Sequence, residues 1–477
     1  PAAASATYLQ GYTNAYLTAN GANFNVPSGR DITVAQVLSD APTEEGALTK
    51  TGDGTLTLSG ANSHTGITSV NAGTLTAPIA LAAGKAINVA NGAGLVLNPT
   101  GSVNLNGDIV GTGTASFGMT GTGSATVNGA FNFSTLNAAA GTLTVNSLLT
   151  GTGPTVATTT GDIVSFSNSI TVASNAGLAV GMVVTGPNLP VGTKITAIAG
   201  TTLTLSNAGT ADSTGDTLTF ATGLVKNGAG TLVVNGVVST ATGNLLTGST
   251  VITNLNSVTG LTVGMQVQQG NTYFPARTVI TAIGATAPTA TATQTVLGTD
   301  LPVSSTVGFV VGMPITGTNI PANTIIAAVN ANSLTLNTAT TVLAVAGVTG
   351  TKSVTVSNAV TGTLAGSALT FGNAYSGGTL INGGTLVIRD NFSLGNVGDA
   401  VTVASGATLD FGGSLTANAL NLGTRIVTIA GAGVGGNGAI VNSGGFGQIN
   451  AVQALVLSGD ASIGGTQRWA FRGPASA

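Results

Sequence analysis

The side chains that could do acid–base, nucleophilic or metal chemistry are few in this sequence and lie far apart. The chain contains one histidine, His64, and no cysteine, which removes most pairings of a nucleophile with a base. The 14 Asp and Glu residues are dispersed, and the only adjacent pair, Glu44–Glu45, stands among Pro, Thr and Gly and predicts a solvated turn. We therefore predict no catalytic residue, no metal site and no cofactor, and we expect that the protein is not an enzyme.

Two short stretches near the ends carry residue types that are enriched in contacts between chains, namely aromatic residues and arginine. The candidates for subunit contacts are Tyr8, Tyr12, Tyr16, Arg468, Trp469, Phe471 and Arg472. Each stretch has two interpretations. Either it covers an end of its own coil, or it docks on a neighbouring molecule.

The element that must position these residues is set out most clearly from Lys50 to Leu75, which reads KTGDGTLTLSGANSHTGITSVNAGTL. Its apolar residues alternate with Thr or Ser in short runs, which indicates half-buried strands, and Gly and Asn mark tight corners between them. Because no such run can bury its apolar face alone, the stretch predicts a coil that stacks on further copies of itself.

The unit recurs in two separated pieces. The segment 224–236 (LVKNGAGTLVVNG) repeats the first half, with Lys226 in the place of Lys50. The segment 373–386 (NAYSGGTLINGGTL) repeats the second half, with Tyr375 in the place of His64. The residues between Gly236 and Asn373 are therefore predicted to be an insertion, after which the coil resumes.

These two repeats, together with the stretch NFSLGN at 391–396, closely resemble the autotransporter-associated β-strand repeat, also called the passenger-associated transport repeat. That family occurs in large secreted and surface-exposed bacterial proteins. The resemblance implies a right-handed parallel β-helix, export to the cell surface or the extracellular space, and a surface or matrix role. It implies no reaction.

The composition agrees with an ordered all-β protein. Charged residues are only 5% and hydrophobic residues 43%, and disorder requires low hydrophobicity with high net charge. The 11 Lys and Arg residues are dispersed in a chain of net charge −3, which predicts no nucleic-acid partner. No apolar run reaches the roughly 18 residues of a membrane-spanning helix. The chain starts at Pro1, which is expected either from removal of a leader or from a sequence that simply begins there.

A second repeat family has the frame Gly-Φ-x-Val-Gly-Met, followed by a Pro, a Thr and a pair of Ile or Val residues. Its copies lie at 177–205, 260–283 and 308–336, and they place Met182, Met265 and Met313 at one frame position. We interpret these methionines as core residues. Each copy has the strand signals of a small antiparallel β-barrel or sandwich, so the frame predicts domains inserted into the coil.

The predicted organisation is all-β, with a cap or docking segment at 1–47, β-solenoid at 48–160, 223–245 and 371–477, and inserted β domains at 161–222, 246–300 and 301–370. The coil should comprise about 10 rungs at the roughly 22 to 25 residues per rung typical of such repeats. Apolar residues from Val401 to Ile463 predict the core of the resumed coil, and Leu415 and Leu457 are among them.

This organisation favours a structural function. We expect an exported bacterial protein whose copies join end to end, as a head-to-tail homopolymer, into a surface fibre, sheath or layer. The alternative is an adhesin, in which the coil is a stalk and the inserted domains bind glycans or other surface components. A carbohydrate-active enzyme is disfavoured, because such enzymes need carboxylates clustered on adjacent rungs.

Overall fold

The computed structural model of the protein is all-β, with short 3-10 turns between strands in the part of the chain that it describes. The described residues are 3–77, 86–112, 115–133, 135–147, 149, 155–176, 178, 180–190, 193–269, 273–275, 278–284, 286–295, 297–340, 347–375, 377–396, 399–417 and 420–471. The chain divides into two compact units, Pro1–Gly236 with Tyr375–Ala477, and Val237–Ala374.

The first unit contains the coil and one insertion. Its strands up to the first insertion are β1 (Ser5–Leu9), β2 (Tyr16–Leu17), β3 (Ala22–Asn25), β4 (Ile32–Val34), β5 (Ser39–Asp40), β6 (Leu48–Thr51), β7 (Thr55–Leu58), β8 (Thr68–Val70), β9 (Thr74–Ala77), β10 (Ile87–Val89), β11 (Gly94–Leu97), β12 (Ser102–Leu105), β13 (Ile109–Gly111), β14 (Ser116–Met119), β15 (Ser124–Val127), β16 (Thr135–Ala138) and β17 (Thr142–Val145). The insertion and the following rung are β18 (Thr155–Ile163), β19 (Ser169–Val172), β20 (Val183–Thr185), β21 (Ile195–Ala199), β22 (Thr202–Leu205), β23 (Ser213–Ala221), β24 (Leu224–Asn227) and β25 (Thr231–Val234).

The second unit interrupts the coil, which then continues in the first unit. The strands of the second unit are β26 (Val237–Leu245), β27 (Val251–Ile252), β28 (Gln266–Gln268), β29 (Ile280–Gly284), β30 (Thr289–Thr291), β31 (Asp300–Pro302), β32 (Thr316–Gly317), β33 (Ile326–Val329), β34 (Ser333–Leu336), β35 (Gly347–Thr349), β36 (Ser353–Val356) and β37 (Leu364–Gly372). The last strands of the first unit are β38 (Thr379–Ile381), β39 (Thr385–Ile388), β40 (Val401–Val403), β41 (Thr408–Asp410), β42 (Ile426–Gly431), β43 (Ile440–Val441), β44 (Gln448–Val452), β45 (Ala454–Ala461) and β46 (Trp469–Phe471).

Three parallel sheets stack the rungs of the coil. Sheet 1 has 12 strands in the order β1-β4-β7-β9-β11-β14-β16-β24-β38-β40-β42-β45. Sheet 2, β13-β10-β8-β6-β3, accompanies the N-terminal rungs, and sheet 3, β12-β15-β17-β25-β39-β41-β43, accompanies the C-terminal rungs. Since neighbouring strands come from successive turns of the chain, the coil is a parallel β-helix, which confirms the predicted fold class.

The core of the coil follows from the alternation in the sequence. In the stretch that predicted it, Leu56, Leu58, Val70 and Leu75 are 0% exposed, whereas the intervening Thr residues point outward. The strands are in register, so that each apolar side chain stacks on the one in the next rung, for example Leu56 on Leu75. This register makes one continuous apolar column along the helix axis.

The joint across the main insertion is the decisive test of the coil. Strand β24 pairs in parallel with β38, and β25 pairs in parallel with β39, although the second unit separates them in the sequence. The two half-repeats therefore lie side by side as successive rungs, as the sequence predicts.

The predicted cap at 1–47 is wrong in one respect, because this segment already forms rungs. Strands β1 and β4 belong to sheet 1, and β3 belongs to sheet 2. Ile32 and Val34 are buried like the apolar residues of later rungs. The prediction of about 10 rungs was accordingly too low, since sheet 1 has 12 strands. At about 4.8 Å per strand these span about 53 Å.

Three residues assigned to the core of the resumed coil are exposed instead. Leu415 is 72% exposed in the connection between β41 and β42, and Ile463 is 51% exposed after β45. Leu457 is 61% exposed because β45 is the last strand of sheet 1. Apolar type alone predicted these side chains to be inside, and it could not show where the stacking ends.

The first insertion is a closed antiparallel barrel, here called barrel 1 (β18–β23). Its strands follow the order β20-β23-β18-β19-β22-β21, and a bridge between Val183 and Lys194 joins the two ends. Met182, Leu218 and Phe220 lie in its apolar interior. The barrel starts at Thr155, so the predicted border between coil and domain at residue 160 falls inside β18.

The second unit contains two barrels of the same strand order, one nested in the other. Barrel 2 consists of β26, β27, β28, β29, β36 and β37, and its two three-stranded sheets are joined by the bridges Asn244–Thr253 and Gln266–Val279. Barrel 3 (β30–β35) lies within the connection between β29 and β36, and the bridges Ala292–Val303 and Pro314–Ile325 close it.

This nesting corrects the predicted boundaries. The segments 246–300 and 301–370 are not consecutive domains, because β36 and β37 return to complete barrel 2 after barrel 3. The coil also ends at residue 236 rather than 245, since β26 pairs with β37. A strand pattern shows that a segment is a strand, but it does not show which sheet receives it.

The shared frame has the same role in all three barrels. Met182, Met265 and Met313 are each at most 1% exposed, as the prediction of core residues requires. The hydroxyl of the frame Thr donates to the carbonyl of the frame Pro three residues earlier. These bonds are Thr193–Pro190 (2.6 Å), Thr278–Pro275 (2.6 Å) and Thr324–Pro321 (2.7 Å).

Excision of barrel 3 tests the nested arrangement. We expect a variant in which residues 285–352 are replaced by Gly-Thr to keep barrel 2 folded. Gly284 pairs directly with Ser353, and Gly-Thr is the pair of residues that joins β21 to β22 in barrel 1. Amide hydrogen exchange over residues 237–284 and 353–372 measures the outcome.

The matched control is deletion of residues 301–370, the boundaries of a separate third domain. That deletion removes β36 and most of β37 and should leave the amides of 237–284 unprotected. Equal protection in both variants would contradict the nesting.

Candidate functional site

The lysine of the repeat is an internal clamp at a corner of the coil. Lys226 is 0% exposed, and its Nζ donates to the carbonyl oxygens of Asn227 (2.8 Å), Gly228 (2.7 Å) and Gly383 (3.0 Å). Gly383 belongs to the following rung, across the main insertion. All three protons of the ammonium are therefore used, and the bond to Gly383 ties one corner to the next.

Lys50 has the same arrangement in the first repeat. Its Nζ donates to the carbonyl oxygens of Thr51, Gly52 and, one rung further, Ala72. The turn needs glycine, because Gly52 has φ +73 and a Cβ there would lie 2.6 Å from the carbonyl oxygen of Val26. The carbonyls converge on the ammonium because this turn folds the backbone back over the lysine.

Burial changes the acidity of both lysines. It lowers the pKa of Lys226 to about 8, and it also lowers the pKa of Lys50. The carbonyl contacts act in the opposite sense, since they favour the charged form. Between pH 8 and 10.5 the unfolded chain holds more protons at Lys226 than the folded chain, so this group makes the free energy of unfolding rise with pH.

His64 and Tyr375 occupy equivalent corners, as the repeat alignment predicts. Each is at most 2% exposed. The His64 Nε2 lies 3.2 Å from the Thr68 hydroxyl, and the Tyr375 hydroxyl lies 2.9 Å from that of Thr379, four residues on in each case. Burial lowers the pKa of His64 and raises that of Tyr375. Both positions therefore hold a buried ring that bonds to the next sheet strand.

A buried ion pair holds barrel 1 to the coil. Lys194, at the closing bridge of the barrel, contacts the carboxylate of Asp399, which also accepts from the amide of Gly377 at 3.0 Å. Arg425 is 1% exposed and donates to the carbonyls of Asp399 (3.0 Å) and Leu394 (2.7 Å). These ionic groups bind backbone and one another, and their contacts are those of a structural joint.

The three candidate tyrosines at the N-terminal end are exposed. Tyr8 is 48%, Tyr12 63% and Tyr16 54% exposed. Tyr8 lies on β1 and Tyr16 on β2, while Tyr12 lies between the two strands, where its amide donates to Gln36 Oε1 at 2.9 Å. Subunit contact through these residues stays a prediction.

The candidates at the C-terminal end differ from one another. Trp469 packs edge-on against the buried Phe411, with ring centroids 5.5 Å apart, and its Nε1 donates to the carbonyl of Gly464 at 2.8 Å. The contacts of Trp469 are therefore with its own coil. Phe471 is 47% exposed, Arg468 is exposed, and Arg472 lies outside the described residues.

Strands β1 and β45 are the outer strands of sheet 1 among the described residues. Within the described chain, β1 has β4 as its one neighbour in sheet 1, and β45 has β42. Leu457 continues the apolar column formed by Val403 and Ile429, which are 1% and 0% exposed, yet Leu457 is 61% exposed. The column is thus uncovered at this edge.

The half-repeats, their parallel joint and the clamping lysines agree with one repeat family. The passenger-associated-transport-repeat family matches residues 48–77, 224–254 and 361–388. The chain carries passenger-associated-transport repeats. The matched segments make up well under half of the chain, and they show that its coil contains β-strand repeats of this family. No curated protein and no solved structure shows significant similarity to the chain.

In structural terms, a passenger-associated-transport repeat is a pair of successive rungs. The first match covers β6 to β9, in which β6 pairs with β8 and β7 with β9. The second and third matches contribute β24 with β25 and β38 with β39, the two rungs of a repeat that the second unit interrupts. The lysine clamp spans the two rungs in both repeats.

Neither a metal-ligand cluster nor a membrane-spanning helix is found among the described residues. No three His, Asp or Glu side chains there come close enough together to hold a metal ion. None of the helical segments described is long and apolar enough to cross a bilayer.

Replacing the clamping lysine should weaken the joint between rungs. We expect Lys226→Met to lower the free energy of unfolding by about 2 kcal/mol, because three carbonyls lose a charged donor. Chemical denaturation at pH 7 measures the change, and Lys352→Met, at an exposed lysine, is the matched control.

The pH dependence separates the clamp from simple loss of packing. The rise in stability that Lys226 contributes between pH 8 and 10.5 should be missing in Lys226→Met. A variant as stable as the parent at pH 7 would show that the ammonium does not hold the corner. A variant with the parent's pH profile would show that burial does not lower the pKa of Lys226.

Proposed function

We propose that this repeat protein is an extracellular structural subunit whose copies join end to end, with the outer strand of one coil pairing with the outer strand of the next. The observation that carries the proposal is the apolar column that ends uncovered at Leu457 on β45. The dispersed acidic groups support a role without catalysis. The partner is a second copy of the chain.

The two edges suit each other because they belong to one sheet. Strands β1 and β45 lie at opposite ends of sheet 1, and every pair within that sheet is parallel. A second copy in the same orientation would continue the parallel ladder with its β1 on the first copy's β45. The unpaired backbone groups of an edge strand are what such pairing satisfies.

The symmetry of this contact determines the form of the assembly. The two edges are different surfaces, so the contact is heterologous, and a heterologous contact that does not close a ring produces a filament. The exposed Tyr8 on β1, together with Val456 and Leu457 on β45, would be covered at each junction. Low charge along the coil would also favour the lateral packing that a sheath or layer requires.

Lysine at the C-terminal edge should block assembly without unfolding the coil. We expect Val456→Lys with Leu457→Lys to abolish filaments in negative-stain images and to leave the protein monomeric by analytical ultracentrifugation, because a charge on an edge strand prevents a further strand from pairing. Leu415→Lys is the matched control. It places one such charge on an apolar residue that is 72% exposed but lies off the edge strands.

Two outcomes would refute end-to-end assembly. One is a parent protein that stays monomeric across salt and pH. The other is filaments of the double variant that match those of the parent in length and number.

A second candidate function, adhesion through the inserted barrels, is favoured by one residue of barrel 1. Phe166 is 93% exposed and has φ +59, a left-handed conformation that costs a residue with a Cβ about 1 to 3 kcal/mol. The equivalent turn of barrel 2 has glycine at this position, Gly248, with φ +80. The turns match, since Ser167 donates to the carbonyl of Val164 and Ser249 donates to that of Leu246.

Strain at an exposed aromatic ring suggests a contact outside the chain. Within the described residues the Phe166 ring has almost no cover, so intramolecular packing does not compensate for its backbone conformation. Val164 beside it is 52% exposed. We propose under this alternative that barrel 1 presents the ring to surface components such as glycans, which pack on aromatic faces.

Glycine at this position separates binding from folding. We expect Phe166→Gly to leave the free energy of unfolding unchanged or to raise it by up to about 1 kcal/mol, since the left-handed turn is relieved. We also expect it to reduce retention on surfaces coated with mucin or with bacterial polysaccharide. Phe446→Gly, which removes a half-exposed ring from the coil, is the control. Unchanged retention with Phe166→Gly would remove the support for adhesion.

A further inference from the structure

A groove on the outer face of sheet 3 is the feature that neither assembly nor the barrels explain. It has a volume of about 440 Å³. Its lining residues are Thr385, Thr408, Asp410, Val434, Asn437, Val441, Ser443, Gly465 and Thr466. The volume lies within the range of about 300 to 1,000 Å³ that is usual for small-molecule sites.

The floor of the groove is formed by successive rungs. Thr385 on β39 is in register with Thr408 on β41, and Asp410 is in register with Val441 on β43. Leu409 between the two polar residues of β41 points inward and is 0% exposed. Thr408 and Asp410 therefore face outward, and yet they are only 3% and 5% exposed because other segments cover them.

The covering wall is the glycine-rich loop 431–438. Thr408 holds it, since its hydroxyl accepts from the amide of Val434 at 2.9 Å and donates to the carbonyl of Gly438 at 2.9 Å. The loop closes on itself through a bridge between Gly433 and Gly438. The opposite side is formed by Gly465 and Thr466, and the amide of Thr466 donates to the carbonyl of Asn442 at 2.9 Å. The groove is thus built by contacts within the coil.

One carboxylate lies in the groove, held by neutral donors. The Oδ1 of Asp410 accepts from the amides of Gly412 (2.7 Å) and Ser443 (3.0 Å), and its Oδ2 accepts from the Ser443 hydroxyl. These bonds fix the carboxylate and leave it capacity for a further hydrogen bond, because an ionised carboxylate has about four acceptor positions.

The remaining polar groups supply both donors and acceptors. Thr385 and Thr466 each contribute a hydroxyl to the lining. Asn437 donates through its Nδ2 to the carbonyl of Val434 at 3.2 Å, and its Oδ1 is available as an acceptor. Val434 and Val441 give the groove an apolar surface beside these groups. None of the nine lining residues is cationic.

We propose that this groove binds a neutral saccharide. A pyranose ring has an apolar face, which Val434 and Val441 match, and a rim of hydroxyls. Those hydroxyls can donate to Asp410 and Asn437 and accept from Thr385 and Thr466. Phosphorylated, sulfated or acidic sugars do not fit, because the groove offers a carboxylate and no cation. The proposal is independent of end-to-end assembly and of the barrels.

Saturation-transfer difference NMR on the full chain tests the site. Glucose, galactose, N-acetylglucosamine, maltose, cellobiose and lactose are each presented alone, and at least one should show saturable binding. We expect Thr385→Val with Thr466→Val to weaken that binding by about tenfold, because two hydrogen bonds of ordinary strength are lost while the side-chain shape is kept. Circular dichroism melts check that the variant is folded.

Thr402→Val is the matched control, since Thr402 lies on β40 in sheet 1, away from the groove. It should bind as the parent does. Glucosamine and galacturonate test the charge of the site, and galacturonate should bind more weakly than galactose. No transfer to any neutral sugar, equal affinity of the double variant and parent, or binding of cationic glucosamine alone would each overturn the proposal.

Discussion

The fold depends on how the corners of the coil satisfy their backbone carbonyls. Strands hydrogen-bond from rung to rung, but a tight corner turns carbonyl oxygens away from any strand, and buried carbonyls need donors. In the repeat, Lys50 or Lys226 supplies a whole ammonium to three of them. At a later corner Arg425 supplies its guanidinium to three carbonyls. In a chain with only 5% charged residues, these buried cations stabilise turns between strands.

Two aspartates, Asp390 and Asp410, have a related role at the starts of short 3-10 segments in the coil. Asp390 caps the turn Asn391–Leu394 by accepting from the amides of Phe392 and Ser393, and it also accepts from the amide of Gly236 at 3.0 Å. Asp410 caps the following turn in the same way. These charged groups, which could have been taken for catalytic residues, thus form hydrogen bonds with the backbone. Asp410 also lines the groove, so there a capping carboxylate faces a cavity.

The sequence predicted the coil because alternation and repeat are local signals, and it missed what depends on distant pairing. The repeat alignment identifies Lys226 as the counterpart of Lys50, but spacing cannot show that three carbonyls converge on one Nζ. Two barrels in tandem and two nested barrels would place the Gly-Φ-x-Val-Gly-Met frames in the same order along the sequence. A signal for nesting was present all the same. The pattern Ser-Asn-Ala followed by Leu-Thr-Phe completes barrel 1 at 206–220 and recurs at 357–371, after barrel 3. The groove was beyond prediction, because the loop 431–438 covers sheet 3 only in three dimensions.

Nesting and insertion have one physical cause, which is that each barrel begins and ends on a pair of adjacent strands. Thr155 pairs with Ala221 in barrel 1, Val237 pairs with Gly372 in barrel 2, and Thr289 pairs with Thr349 in barrel 3. A barrel with paired ends closes its own loop, so its host loses little more than a short turn. Barrels 1 and 2 both leave the coil after a strand of sheet 3 and before a strand of sheet 1, where no ladder is broken. Barrel 3 replaces a hairpin turn of barrel 2 for the same reason, and the register on either side is unchanged.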